Sequence, residues 1–197
     1  EYYDSRAYVL SATKTNIFSS TSSELNEAIV DGKNAGSYNQ RYNNEGYLGR
    51  VQYDYDGRIF GSASFRRDAS SRFHPDHRWG SFWSIGANWR ISKEAFMQGL
   101  DWLNNLSIKA SYGEQGNDQL SRLYAWQSLY SLSYANANQI GGVVSTLENQ
   151  KVSWEKNGNF NVGFEASVLD QRLHINAEYY NKKTTDMLLE YPMALST

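Results

Sequence analysis

Apolar and polar side chains alternate along residues 46–91. From Tyr47 to Tyr55 the odd positions are aromatic, valine or glycine, whereas most even positions are polar. The same alternation recurs over residues 59–66 and 79–91. Because successive side chains of a strand point to opposite faces of the sheet, the pattern predicts three antiparallel strands, each with one apolar and one polar face.

The two connections between these strands differ in length. Asp56-Gly57 predicts a tight hairpin turn, since both central residues of that turn need a positive φ. Residues 69–78 are longer and polar, and they predict an exposed loop.

Four further stretches alternate in the same way and bring the total to about seven strands. These stretches are residues 4–14, 106–112, 154–168 and 173–182. Leu169-Asp170-Gln171 predicts a tight turn between the last two. Three segments predict other structure: a long exposed loop over 16–40, a short helix or turn over 92–104, and a long loop over 113–152 with a local β-ribbon at 122–134.

The lengths of strands and loops point toward a membrane. Most predicted strands have about nine or more residues, and a tilted strand needs about nine to eleven to cross a bilayer. The predicted loops over 16–40, 69–78 and 113–152 all fall at one end of the sheet, as the long external loops of outer-membrane barrels do. The sequence therefore predicts an all-β fold, an antiparallel up-and-down meander of long strands that forms an arc of a large transmembrane β-barrel.

A soluble all-β protein remains an alternative at this stage. Charged residues on the predicted polar faces suit either a wet barrel lumen or the solvent face of a sandwich. Aromatic residues near strand ends suit either interfacial girdles or ordinary cross-strand packing. These aromatic residues are Tyr53, Tyr55, Trp79, Trp89, Trp154 and Tyr179.

Composition does little to decide between a membrane barrel and a soluble all-β protein. The chain of 197 residues carries a net charge of −2, which gives no reason to expect a nucleic-acid partner. It has no cysteine, so disulfides and thiolate metal sites are excluded. No apolar run is long enough for a membrane-spanning helix. The start at Glu1 suits either a mature soluble protein or a piece of a longer chain.

Several segments carry a resemblance to a known family. RRDASSRF at residues 66–73 and RWGSFWSIGANWRIS at 78–92 resemble the barrel region of the SusC/RagA family of TonB-dependent outer-membrane transporters. The usual family pattern has Gly where this chain has Ala69. Further similar segments follow the family's order. They are GYLGRVQYDYDGR at 46–58, LSIKASYGEQGND at 106–118, and VSWEKNGNFNVGFEASVLDQRLHINAEYYNKKTTDMLL at 152–189.

The resemblance implies that the chain is a fragment of the C-terminal half of a barrel of about 22 strands. In that family a signal sequence, a carboxypeptidase-like extension and a plug domain with a TonB box precede the barrel, and none of them is expected here. The implied location is the outer membrane of a Gram-negative bacterium, in contact with its lipid. The implied activity is import of oligosaccharides or peptides. The implied partners are a SusD-like lipoprotein lid and TonB–ExbB–ExbD, which acts through the plug.

Aromatic and charged clusters are the candidate binding residues. Tyr124, Trp126 and Tyr130 lie in the predicted long loop, where they could stack on sugar rings, contact a partner or pack on neighbouring loops. Arg66, Arg67, Asp68 and Arg72 cluster at a strand end, and a structural Arg–carboxylate network is favoured over a ligand-facing patch.

No catalytic chemistry is indicated. The spacing of the strand carboxylates Glu155, Glu165 and Glu178 does not indicate a catalytic pair. No nucleophile elbow, zinc-protease motif or phosphate loop is present. His74, Asp76 and His77 are possible metal ligands by residue type, but a solvated loop is the favoured interpretation, and His174 on a polar strand face receives no role. We therefore expect no enzyme activity, no cofactor and no metal site.

Two alternatives to a transporter segment stay open, a soluble all-β carbohydrate-binding module and a non-transporting outer-membrane barrel. The soluble module requires an enclosed core between two sheets. A barrel segment requires a continuous apolar outer belt.

Overall fold

The computed structural model describes residues 1–17, 28–136 and 139–191, with side chains described outside 14–17, 28–34, 132–136 and 139–140. Nine strands are present in this part of the chain. They are β1 Tyr2–Ile17, β2 Ala28–Tyr55, β3 Ile59–Ser70, β4 Trp79–Arg90, β5 Leu103–Asn117, β6 Leu129–Asn136, β7 Gln139–Thr146, β8 Glu155–Val168 and β9 Leu173–Thr185. Two single 3-10 turns, Ile91–Lys93 and Ala95–Met97, follow β4. Among the described residues, no helix has the length and apolarity that a membrane crossing needs.

The chain divides into two compact units. The larger unit contains Glu1–Tyr2 and Asn44–Thr197. In it the second part of β2 begins an antiparallel sheet of order β2–β3–β4–β5–β8–β9. The hairpin β6–β7 forms a separate two-stranded sheet within the connection from β5 to β8.

The smaller unit is Tyr3–Asn43. Its strands are β1 and the first part of β2. Arg41 donates from Nε and Nη2 to the carboxylate of Asp4 at 3.2 Å, and the rings of Tyr3 and Tyr42 lie 6.0 Å apart.

Tight turns join consecutive strands at one end of the larger unit, which we call the turn end. At Asp56 and Gly57 φ is 53° and 61°, and the Arg58 amide donates to the Tyr55 carbonyl at 2.9 Å. The hairpin predicted from Asp-Gly is therefore confirmed. The turn predicted at Leu169-Asp170-Gln171 is also present, with all three residues in the left-handed region.

Several predicted loops are wrong in extent. β2 begins at Ala28, so residues 28–40 are strand where a loop was predicted, while residues 18–27 lie outside the described part of the chain. The reason is that backbone pairing needs no apolar side chains when both faces of a strand stay exposed, as at residues 35–41. β3 also extends to Ser70, which shortens the predicted loop over 69–78.

The predicted loop over 113–152 contains more strand than expected. β5 continues to Asn117, and the local ribbon is β6–β7 rather than residues 122–134. Its second strand begins at Gln139, outside the predicted ribbon. A short helix or a turn was predicted over 92–104. The structure has two single 3-10 turns there, so the turn is confirmed and a longer helix is not formed.

The strand register assigns side chains to two faces, because directly paired residues share a face. Three successive rows of one face contain no ionisable group except tyrosine hydroxyls. They are Val51, Ala63, Ile85, Tyr112, Phe160, Asn181; Tyr53, Gly61, Ala87, Ala110, Val162, Tyr179; and Tyr55, Ile59, Trp89, Ile108, Phe164, Ala177. We call this the apolar face and its uncharged band the apolar belt.

Most side chains of the apolar belt are exposed. Val51 is 71% exposed, Ile85 56% and Phe164 42%. Among the described residues the buried hydrophobic side chains are few and lie elsewhere: Ala69, Phe73, Phe82, Trp154 and Ala166. The enclosed core that a soluble sandwich would require is therefore missing from the described part of the chain.

Candidate functional site

Aromatic residues mark both ends of the apolar face on β2 to β4. Trp79 and Tyr47 stack with ring centroids 6.2 Å apart where β3 and β4 meet the longer connections, which we call the loop end. Tyr55 and Trp89 are exposed at the turn end. Trp79 and Trp89 are ten residues apart on one strand. At about 3.3 Å per residue and a tilt of about 40°, that spacing corresponds to the roughly 25 Å height of an outer-membrane apolar band.

The aromatic boundary of the apolar face also crosses the strands obliquely. At the loop end its last aromatic residue on β4 is Trp79, but on β9 it is Tyr179, which is followed on the same face by Asn181 and Lys183. Through the register, Tyr179 is level with Ala87, eight residues from Trp79. Strands that are tilted against a bilayer produce an offset of this kind.

The opposite face is polar and carries a depression of about 500 Å³. Asp54, Asn88, Lys109 and Glu178 line it. Lys109 Nζ reaches Glu178 Oε2 at 3.4 Å across Gly163, the residue between them in the register. An ion pair on this face, opposite an uncharged belt, suits a strand wall with water on one side only.

A small cluster of buried aromatic side chains lies on the polar face at the loop end. Phe73 is fully buried, Phe82 and Trp154 are 4% and 6% exposed, and the Trp154 ring lies 5.5 Å from each of the other two. The Trp154 indole donates to the Arg78 carbonyl at 2.8 Å. Gly80 and Gly116 lie against the Phe82 ring, where a Cβ would collide with it. We call Phe73, Phe82 and Trp154 the loop-end cluster.

Hydrogen bonds fix the loop that carries Phe73. The Ser70 hydroxyl donates to the Asp118 carboxylate at 2.6 Å, and Arg72 Nη1 donates to the Asp118 carbonyl at 3.0 Å. The Ser70 amide donates to the Arg78 carbonyl at 3.1 Å. These contacts join the β3–β4 loop to the end of β5.

The predicted Arg–carboxylate network is present in part. Arg66 Nε donates to both Asp68 oxygens at 2.8 and 2.6 Å, and Asp68 is buried beside Gly46. Arg72 bonds to Asp118 instead. Arg67 points to the apolar face, with its guanidinium carbon 5.1 Å from the centre of the Trp79 ring.

Glu155 lies on β8 five residues before the apolar belt begins at Phe160, outside the segment that the belt covers. Asn117 and Asn157 donate to its Oε1 at 3.2 Å, and the Leu188 amide donates to Oε2 at 3.2 Å. The Asn117 bond, followed by those from Leu188 and Asn157, lowers the pKa of the Glu155 carboxyl because these donors favour its ionised form.

The three aromatic loop candidates lie in different surroundings. Trp126 is half-buried and packs edge-on against His74, with ring centroids 5.3 Å apart. Tyr124 is half-buried as well. Tyr130 is 62% exposed on β6. Trp126 therefore packs on a neighbouring loop. Of the three candidates, only Tyr130 presents most of its surface to solvent.

The loop-end cluster was not predicted from the sequence. For Trp154 the sequence left an interfacial girdle and ordinary packing open, and the structure has packing, because its ring is buried against Phe73 and Phe82. The available signal was Phe82, an aromatic residue at a polar-face position of β4. Its pairing with Arg66 places it there.

Metal-ligating residues do not converge in the described part of the chain, where no group of three or more His, Asp or Glu side chains could hold an ion. His74 Nδ1 lies 3.5 Å from Asp76, while the His74 and His77 rings are 6.4 Å apart.

Comparison with known proteins identifies the fold. A family model described as TonB dependent receptor-like, beta-barrel matches residues 2–196. TonB-dependent receptor P39 of Formosa agariphila is 34% identical over 148 residues, which is 75% of this chain and 14% of that protein. TonB-dependent receptor SusC of Bacteroides thetaiotaomicron is 29% identical over 157 residues, covering 77% of this chain and 16% of SusC.

Solved structures give the same result. The RagAB peptide transporter matches with a TM-score of 0.86 and 29% identity, covering 98% of this chain and 22% of that one. The RagAB peptide importer in the open-open state matches with a TM-score of 0.83 and 29% identity, over 98% and 21% of the two chains. The chain thus covers 21–22% of these structures and 14–16% of the two receptors. It belongs to the TonB-dependent receptor-like β-barrel family and is a barrel segment of the SusC/RagA type.

Proposed function

We propose that this chain forms part of the barrel wall of an outer-membrane transporter that imports oligosaccharides or peptides. The observation that carries the proposal is the apolar belt, uncharged over three rows, bounded by aromatic residues and backed by a polar face. In this assignment the belt faces lipid and the polar face lines the lumen. The segment supplies wall and external loops, and it carries out no covalent step.

The proposed orientation places the loop end outside the cell. The connections over residues 71–78 and 118–154 are then external, and the turns at Asp56-Gly57 and Leu169-Asp170-Gln171 face the periplasm. Short periplasmic turns and longer external loops are the usual arrangement of bacterial barrels. The chain is then one piece, from the C-terminal half, of a barrel of about 22 strands.

The proposed partners follow from the relatives. SusC and the RagAB transporter are similar over most of this chain, which supports a SusD-like lipoprotein lid and energy supplied by TonB–ExbB–ExbD through a plug domain. The RagAB structures are described as peptide transporters, which supports peptides as one of the two substrate classes. The proposed location is the outer membrane of a Gram-negative bacterium.

Single-cysteine labelling of the full-length receptor tests the orientation of the faces. Ile85 and Asn88 lie on opposite faces of β4, and this segment has no cysteine of its own. A fluorophore at Ile85→Cys should be quenched by lipids brominated on their acyl chains. A fluorophore at the matched control Asn88→Cys should be quenched by aqueous iodide instead. The opposite result would reject the proposed wall.

Uptake measurements test transport itself. Cells that carry the full-length receptor should take up labelled peptide or oligosaccharide mixtures, and deletion of TonB should abolish uptake while leaving surface binding intact. Equal uptake with and without TonB would contradict the proposal. No uptake in either strain would favour the alternative of a non-transporting barrel, for which the faces would still label as above.

A further inference from the structure

Arg67 is a charged side chain at an unusual place in the sheet. Its register partners are Tyr47 and Ser81, and the neighbouring row on the same face contains Phe65 and Trp83. Arg67 therefore projects from the apolar face, one row inside Trp79 along the strand pair. The adjacent Arg66 projects from the polar face and bonds to Asp68.

The Arg67 guanidinium rests on aromatic rings rather than on a carboxylate. Its carbon lies 5.1 Å from the centre of the Trp79 ring, and Trp79 stacks on Tyr47 with an angle of 21° between the ring planes. Within the described residues, no carboxylate lies within 4 Å of the Arg67 nitrogens. Glu45, an acidic side chain near Arg67 on the same face, accepts a hydrogen bond from the Tyr47 hydroxyl at 2.5 Å.

A cation at the edge of an apolar belt needs a polar partner. The charge cannot remain in hydrocarbon without cost, so the long side chain extends toward the lipid headgroups. Arginine donates through a planar fork that matches the oxygen atoms of a phosphate. Exposed Trp and Tyr rings are the side chains that occupy the headgroup level of a membrane.

We propose that Arg67, Trp79 and Tyr47 form a binding site for the phosphate group of an anionic membrane lipid at the loop end of the barrel. Arg67 binds the phosphate through charge-assisted hydrogen bonds, and the two rings contact the adjoining glycerol or sugar and the upper acyl carbons. This inference rests on the proposed lipid-facing orientation of the apolar belt, and it assigns that belt a lipid of defined charge.

The site is tested with a reporter placed beside it. Ser81 is exposed and lies directly opposite Arg67 on the same face, so Ser81→Cys in the full-length receptor can carry a fluorophore. The receptor is reconstituted with a phosphatidylglycerol whose headgroup carries a spin label, or with a neutral, phosphate-free glycolipid labelled in the same way. The ratio of quenching by the two lipids measures the local preference for the anionic lipid.

Arg67→Gln should lower that ratio about fivefold, which corresponds to about 1 kcal/mol for one cation near an anionic surface. Arg67→Lys should retain part of the preference, since it keeps the charge but loses the fork. The matched control is Arg50→Gln, which removes an exposed arginine from the polar face and should leave the ratio unchanged.

Three results would overturn the inference. They are an unchanged ratio in Arg67→Gln, an equal fall in Arg50→Gln, and complete loss of the preference when inorganic phosphate is added at constant ionic strength, which would identify a soluble anion as the ligand. The Ile85→Cys measurement separates these failures from failure of the proposed function. If Ile85 is quenched by brominated acyl chains while Arg67→Gln has no effect, the barrel wall stands and only the lipid site is rejected.

Discussion

Gly116 illustrates how one missing side chain permits the loop-end cluster. A Cβ at this position would collide with the edge of the Phe82 ring, which is itself confined by Phe73 and Trp154. The ring cannot move aside without disturbing its neighbours, since packed interiors resist added volume.

Gly116→Ala should therefore destabilise the receptor by about 1–3 kcal/mol, the usual cost of overpacking. Thermal unfolding of the full-length receptor in detergent measures the change. Gly49→Ala is the matched control, because a Cβ there would have no atom within 4 Å. Equal melting temperatures for the two variants would show that Phe82 has room to shift.

Glu155 makes one contact of the loop end sensitive to pH. Its hydrogen bonds lower the pKa of the folded carboxyl below that of the unfolded chain. The stabilisation is therefore complete above the unfolded pKa and disappears as the pH falls through the folded pKa.

Hydrogen exchange of the Leu188 amide, which donates to Glu155, reports on this contact. Its protection factor should fall on acidification in the wild-type receptor. In Glu155→Gln it should be lower at neutral pH and insensitive to acid. The same pH response in both proteins would assign the effect to another group.

At the scale of single residues, the sequence predicted which face of the sheet a side chain occupies, but it did not predict contacts between distant side chains. Alternation placed Ile85 and Asn88 on opposite faces correctly, because a strand has a fixed two-residue period. It gave no hint that Trp154 would turn inward to Phe73. That contact joins residues far apart in the chain and depends on the β3–β4 loop folding back over the sheet.

Among the elements, the turn after β8 holds three successive non-glycine residues in the left-handed region, at φ of 56°, 52° and 63°. The Leu169 amide donates to the Trp102 carbonyl, and the Gln171 amide donates to Asn104 Oδ1 at 3.0 Å. These bonds attach the turn to the end of the β4–β5 connection and the start of β5. They stabilise backbone angles that L-residues adopt only with strain.

Gln171→Gly should stabilise the receptor by about 0.5–1 kcal/mol, since glycine adopts a positive φ without strain and keeps the amide donor. Arg172→Gly is the control at the next position, whose φ lies outside the left-handed region. It should give no gain. Equilibrium unfolding in denaturant compares the two, and stabilisation by both or by neither would argue against strain at residue 171.

Strands with one apolar face were predicted well, whereas strands with two polar faces were predicted poorly. β3, β4 and β8 show clear alternation, and the structure has a strand at each. The first part of β2 and the hairpin β6–β7 are rich in Ser, Asn and Gly. Their pairing depends on backbone hydrogen bonds to a neighbouring strand, which leave no periodic signal in the side chains.

At the scale of the molecule, the sheet of the larger unit is open at its β9 edge. Among the described residues, β9 pairs with β8 on one side only, and many large apolar side chains of the larger unit are exposed. Free strand edges and wide apolar surfaces promote association in water.

Residues 1–197 expressed alone should therefore not form a stable soluble monomer in plain buffer. Size-exclusion chromatography should show aggregates, and heating should give no cooperative transition. The same chain in detergent is the control, where association through the belt should decrease. A monodisperse preparation that melts cooperatively without detergent would contradict the open-segment view.

The fold class and family were accessible from sequence because long alternating strands and an ordered series of similar segments extend over most of the chain. The slope of the belt was not accessible. It follows from the register between β4, β5, β8 and β9, which no single strand specifies.

Two-residue periodicity also restricts how such a chain can change length. In the proposed orientation, one residue inserted within β4 would turn every later side chain of that strand to the opposite face, bringing Trp89 to the aqueous interior and Asn88 into hydrocarbon. Insertions and deletions should consequently accumulate between Ser71 and Arg78, or around β6–β7, and be almost absent from the bilayer-crossing stretches. A receptor of this kind can thus diversify its outward-facing surface while the number of residues across the membrane stays constant.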